Sequence, residues 1–179
     1  QAPRREIEKM LPFYNGKSPH AIASKRLEKQ KLLGIVPPAA KLGMAGKFNP
    51  EGYEKTSAKR KDYIAECMAT YAAQIVIMDR GIGRILASLE RHRLSDNTIV
   101  MFLSDNGATA EMPQNNKNKK TTLPTGPLGE VGCRDGYGPM WAAVSNTPYR
   151  QYKIETFDGG LSAPFIIRYP SKIRPGSRY

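Results

Sequence analysis

Asp105, Asn106 and Gly107 follow, after Ser104, on an apolar run, Thr98 to Leu103, in the stretch DNTIVMFLSDNGATAE. A carboxylate and an amide oxygen are hard ligands of the kind Ca²⁺ or Mg²⁺ prefers. Neighbouring side chains on a strand point to opposite faces, so both can reach one ion only where the strand has ended and the backbone curls. Gly107 permits that curl. The carboxyl end of a strand is also where open α/β sheets place their ligands. An Asx turn fits the letters S-D-N-G as well, and at this point both readings stand. Lys153, in YRQYKIETFDGG ahead of Gly159 and Gly160, is a compact charge suited to gripping an oxyanion. A solvated surface lysine is its alternative. His20 in a polar segment and His92 in a basic helix end read as non-catalytic.

The elements that must hold these residues are legible from periodicity. Apolar residues recur every three or four positions from Ile64 through Met68, Tyr71, Ile75, Met78, Ile82 and Ile85 to Leu89, which predicts a long amphipathic helix over about 62–93. Gly81 and Gly83 lie inside it, each costing about 1 kcal/mol against Ala. Thr98–Leu103 reads as a strand, and helix, tight turn and apolar strand together make an αβ unit whose strand is expected in a parallel or mixed sheet. PFIIRYP, from Pro164, reads as a second strand. The first 60 residues read as short helical pieces, with Lys17–Leu33 ended by Gly34 and the pair Pro37-Pro38. Residues 39–56 read as an irregular connection, and the tract from Met112 to Pro139 as a long loop of the kind that is either functional or disordered.

A chain of 179 residues is long enough for one domain with a core. No apolar run reaches the roughly 20 residues that span a bilayer. The opening QAPRREIEKM does not begin with Met and lacks the apolar stretch of a signal peptide, so the chain reads as an internal piece of a longer one. A net charge of +12 suits polyanion handling. The basic residues run from Arg4 to Arg178 without forming a stripe, and no aromatic stacking platform or recognition helix stands out, so no nucleic-acid partner is expected. Cys67 reads as core packing and Cys133 as part of a glycine-rich loop; neither suggests a disulfide framework or a C-x-x-C metal site.

Five stretches, in this order, resemble the sulfatase family: QAPRREIEKM, KRLEKQKLLGIVP, YAAQIVIMDRGIGRILASLE, DNTIVMFLSDNGATAE, and SNTPYRQYKIETFDGG with LSAPFIIRYP. The likeness is to the arylsulfatase-like group of the alkaline-phosphatase-like superfamily. It implies an α/β fold, a three-layer αβα sandwich around a mostly parallel or mixed sheet, of which residues 1–179 form the middle to carboxyl-terminal part of a single catalytic domain. It implies that Asp105 and Asn106 bind a divalent cation, usually Ca²⁺ with Mg²⁺ possible, and that Lys153 contacts the sulfate. It implies a sulfated small molecule or sulfated polysaccharide as substrate, and an exported, periplasmic or lysosomal setting. The lysines of NNKNKK (Lys117, Lys119, Lys120) would suit a polyanion.

Two departures qualify the resemblance. The family's formylglycine nucleophile arises from a C/S-x-P-x-R motif, but Met-Ala-Thr follows Cys67 and Arg-Asp-Gly follows Cys133. NGKSPHA at 15–21 also replaces the family's aromatic-acidic pattern. The chain is therefore expected to lack the nucleophile segment and to be inactive alone. A phosphodiesterase or phosphonate hydrolase of the same superfamily is the nearest alternative, and a basic nucleic-acid-binding module a distant one.

Overall fold

Ser57 opens the longest element. Its hydroxyl accepts from the Arg60 N–H at 3.4 Å, so the helix starts at Ala58 and runs to Arg91, four residues ahead of the start that apolar periodicity alone indicates. The computed structural model describes residues 1–43, 53–111, 127–133 and 136–178. Within them the helices are α1 (Arg4–Met10), α2 (Pro19–Leu32), α3 (Ala58–Arg91), α4 (Gly138–Ser145) and α5 (Asp158–Leu161), and the strands are β1 (Val100–Leu103) and β2 (Phe165–Arg168). Ser18 caps α2, its Oγ accepting from the Ala21 N–H at 3.1 Å, with Pro19 at the first helical position.

The amino-terminal half of α3 is the spine of the core. Ala65, Ala69 and Ala73 are buried and recur every four residues, so they make a shallow stripe that lets α1 approach. Ala2 and Ile7 pack with Ala69 and Ala73. On another side Met68 joins Ala23 of α2 and Trp141 to Val144 of α4. Trp141 is 1% exposed. Its indole N–H donates to the Ile64 carbonyl at 2.8 Å, and its ring meets Tyr14 edge-on with centroids 5.6 Å apart. Helix α2 is tied to the end of α4: the Arg26 guanidinium donates to the Val144 carbonyl at 3.0 Å and the Gln30 amide to that of Thr147 at 2.8 Å. A cation there also suits the negative end of α4.

The strands pair antiparallel, with Val100 opposite Arg168 and Leu103 opposite Phe165. An antiparallel pair is compatible with the mixed sheet expected and not with an all-parallel one; the αβ unit does not dictate the direction of a partner that comes much later in the chain. Nor do the described residues complete a three-layer sandwich. Met101, Phe102, Leu103, Phe165, Ile166 and Ile167 are all exposed, and because side chains alternate along a strand, both faces of the pair are bare. Ile75, Met78 and Ile85 on the later half of α3 are exposed too. Among the described residues no helix is long and apolar enough to cross a membrane. Lys117, Lys119 and Lys120 fall outside the described residues.

Candidate cation and anion site

Antiparallel pairing sets the end of β1 beside the start of β2, and the site grows from that junction. The loop after β1 meets the turn before β2 backbone to backbone: the Gly107 N–H donates to the Gly160 carbonyl at 3.0 Å. A Cβ on Gly107 would lie 1.7 Å from the Gly159 oxygen. The Gly159 N–H in turn donates to the Arg150 carbonyl at 2.9 Å, and a Cβ on Gly159 would lie 2.2 Å from the Gln151 oxygen. Three turns thus stack at distances that only glycine allows.

The segment carrying Lys153 is held by the same stack. The Lys153 N–H donates to the Ala108 carbonyl at 2.9 Å. The Asn146 side chain accepts from the Ala108 N–H at 3.0 Å and donates to the Gln151 carbonyl at 2.9 Å. The Arg150 guanidinium lies 4.1 Å over the Phe157 ring, a cation–π contact between this segment and the glycine turn. Gln151 (φ 68°) and Ile154 (φ 82°) are left-handed; for the β-branched Ile154 that is a strained conformation, of the sort that clusters at functional sites.

Asp105, Asn106 and Lys153 line one cavity of about 450 Å³. Asp105 is exposed, and Asn106 and Lys153 are half-buried. The Asn106 amide nitrogen donates to the Gly107 carbonyl at 2.8 Å, and the Ser104 hydroxyl to the Asn106 carbonyl at 2.8 Å. In both bonds a side chain donates to a backbone carbonyl, whereas in an Asx turn the side-chain oxygen accepts from the N–H two residues on, so these bonds hold the curl after β1 in a different way. The donor set of one carboxylate and one amide oxygen suits a hard dication but is partial for one. Among the described residues no cluster of three His, Cys, Asp or Glu side chains completes it.

The rest of the lining was not legible as a site. Tyr71 and Tyr137 line the cavity with Gln74 and Cys67, their rings 4.8 Å apart and tilted by 44°. Tyr71 reads in the sequence only as one more apolar position of α3, and Tyr137 as one letter of a glycine-rich loop. Burial, with the Tyr71 phenol beside it, pushes the Tyr137 hydroxyl up to about 12. It therefore remains a neutral hydrogen-bonding group at any ordinary pH. Cys67 is buried as expected, yet it also borders the cavity. His20 and His92 do not line it; the His92 Nδ1 lies 2.8 Å from the Ser88 carbonyl at the end of α3.

The Sulfatase family profile matches residues 37–179, a span that includes Asp105, Asn106 and Lys153. The chain belongs to the sulfatase family. Membership carries the family's α/β, alkaline-phosphatase-like fold. The chain is similar to an uncharacterized sulfatase of Schizosaccharomyces pombe, 33% identical over 186 residues that cover 98% of this chain and 33% of that protein. It is also similar to an arylsulfatase of Klebsiella aerogenes, 33% identical over 132 residues, 69% of this chain and 28% of the relative. A steryl-sulfatase of Rattus norvegicus is 34% identical over 106 residues, 59% of this chain and 15% of the relative. The sulfatase chain thus spans a third or less of the length of these relatives.

Proposed function

We propose that these residues form part of the catalytic domain of a sulfuric ester hydrolase and contribute a partial cation site together with a sulfate-gripping lysine. The observation that carries this reading is the single cavity shared by Asp105, Asn106 and Lys153. A bound dication, Ca²⁺ by the hard-oxygen character of its ligands with Mg²⁺ possible, would supply positive charge where negative charge develops on the sulfate oxygens. Asp105 would give it a carboxylate oxygen. Asn106 would give its amide oxygen, since its nitrogen is engaged by Gly107. The Lys153 ammonium would meet a sulfate oxygen from a later turn and hold it there. Tyr71 and Tyr137 would bound the ester's organic part with aromatic surface.

The formylglycine nucleophile and further carboxylate ligands would come from parts of a longer protein, since neither cysteine here starts a C-x-P-x-R motif. Those parts would also cover the bare faces of the β1–β2 pair and complete a three-layer αβα sandwich. The substrate would be a sulfated small molecule or a sulfated polysaccharide, and the compartment an exported one, by kinship with the family.

The test uses the full-length protein and p-nitrocatechol sulfate. Asp105→Ala and Lys153→Ala should each lower kcat by about 10²–10³-fold, the usual cost of removing one group that stabilises developing charge. Only Asp105→Ala should also weaken Ca²⁺ binding in calorimetry. Wild-type turnover by both variants, or preference of the unaltered enzyme for p-nitrophenyl phosphate over the sulfate, would overturn the reading.

A further inference from the structure

We infer that Asn146 is a positioning residue that fixes the spacing between the loop of Asp105 and Asn106 and the segment of Lys153. It deepens the proposed site and rests on that reading.

Both arms of the Asn146 amide are used, each on a different loop. The Oδ1 accepts from the Ala108 N–H at 3.0 Å, two residues after Asn106. The Nδ2 donates to the Gln151 carbonyl at 2.9 Å, two residues before Lys153. The Ala108 carbonyl completes a ring of contacts by accepting from the Lys153 N–H at 2.9 Å. The two loops are therefore registered through one side chain and one peptide group.

That side chain is mounted on a rigid base. Asn146 immediately follows α4, whose Trp141, Ala142, Ala143 and Val144 are all buried. Capping is done by the Asn146 backbone, whose N–H reaches the Ala142 carbonyl at 3.2 Å. The side chain takes no part in it. Nor does Asn146 line the cavity, so it would act through the loops and not on the substrate.

Only an amide of this length serves both partners. Aspartate keeps an acceptor for Ala108 but turns a second acceptor on the Gln151 carbonyl. Leucine keeps the shape and loses both bonds, which leaves the Ala108 N–H and the Gln151 carbonyl without this partner.

The experiment compares wild-type full-length protein with Asn146→Leu and Asn146→Asp. Three quantities are read: hydrogen exchange of peptides covering 104–111 and 146–154, Ca²⁺ affinity by calorimetry, and kcat and KM for p-nitrocatechol sulfate. The Leu variant should exchange faster in both peptides and lose about 10–100-fold in Ca²⁺ affinity and in kcat, the scale for removing a partner that orients a ligand loop. The Asp variant should keep slow exchange over 104–111 and near-normal Ca²⁺ affinity, while 146–154 loosens and KM rises. It also keeps the test decisive if the Leu variant does not fold. Unchanged exchange, or faster exchange with unaltered Ca²⁺ affinity, kcat and KM, overturns the inference, the second by leaving Asn146 a purely structural role. Failure of the underlying site reading looks different: Asp105→Ala then binds Ca²⁺ as the wild type does while the Asn146 variants still alter exchange, and the positioning role falls with that reading.

Discussion

The Gly107 α-carbon faces the Gly159 carbonyl so closely that a Cβ would stand 1.7 Å from that oxygen. Backbone occupies the space, so no rotamer change can relieve the clash. Gly107→Ala must push the loop of Asp105 and Asn106 off the glycine turn and break the 3.0 Å bond to Gly160. A loss of about 1–3 kcal/mol in denaturant unfolding is expected, the scale for overpacking, with a larger proportional loss of Ca²⁺ affinity. Gly83→Ala is the control: it lies in α3, and a Cβ there meets nothing within 4 Å. It should gain about 1 kcal/mol from helix propensity. Equal effects from both changes would contradict the close-packed junction.

The acid limb of stability should depend on Glu6. Its carboxylate is buried, with Arg80 at 3.1 Å and Lys9 at 3.2 Å. The Arg80 guanidinium foremost, then the Lys9 ammonium, hold its pKa below the ordinary value of 4.5. A depressed carboxylate adds stability that is fully present above the unfolded pKa and is lost as pH falls through the folded one. Wild type should therefore lose stability below about pH 4.5 faster than Glu6→Gln, which starts lower at neutral pH. Parallel pH curves for the two proteins would refute the pairing.

What the sequence made legible was chemistry and periodicity. Helix α3 was evident because a 3.6-residue pattern persists from Ile64 to Leu89, and its start was misplaced because Ser57 caps it ahead of that pattern. The pattern marks a face but not its partner: Met68 is buried while Ile75, Met78 and Ile85 are exposed. Asp105, Asn106 and Lys153 were legible as oxygen ligands and a cation because residue type alone carries that. Their meeting was expected from the family resemblance and not from residue type, since it depends on the antiparallel register of β1 with β2 and on Asn146 reaching back to Ala108. Helix α4 lacks a polar face, so WAAVS carried no helical period to read.

Trp141 should dominate the stability of the core shared by α2, α3 and α4. It is the only tryptophan, so its fluorescence reports unfolding in the wild type; far-ultraviolet circular dichroism serves for the variants. Trp141→Ala should cost about 3–5 kcal/mol through lost burial and a residual cavity. Trp141→Phe keeps most of the packing but leaves the Ile64 carbonyl without the indole bond of 2.8 Å, so a cost of about 1–3 kcal/mol is expected. A Phe variant as unstable as the Ala variant would mean that the hydrogen bond, not the packing, carries the anchor.

Tyr137 sets the alkaline limb. Burial first, and the Tyr71 phenol second, raise its hydroxyl to about 12 from an ordinary 10.0. A raised folded pKa means that the unfolded chain ionises first, so the contribution is fully present below pH 10 and disappears as pH rises through 12. In that window wild type should lose about 1 kcal/mol more per pH unit than Tyr137→Phe, the linkage value of one proton. Urea titrations of both proteins at pH 9, 10.5 and 11.5 measure it. If their difference stays constant across those three conditions, the phenol is not held neutral by its surroundings, and Tyr137 could then carry a charge into the cavity it shares with Asp105.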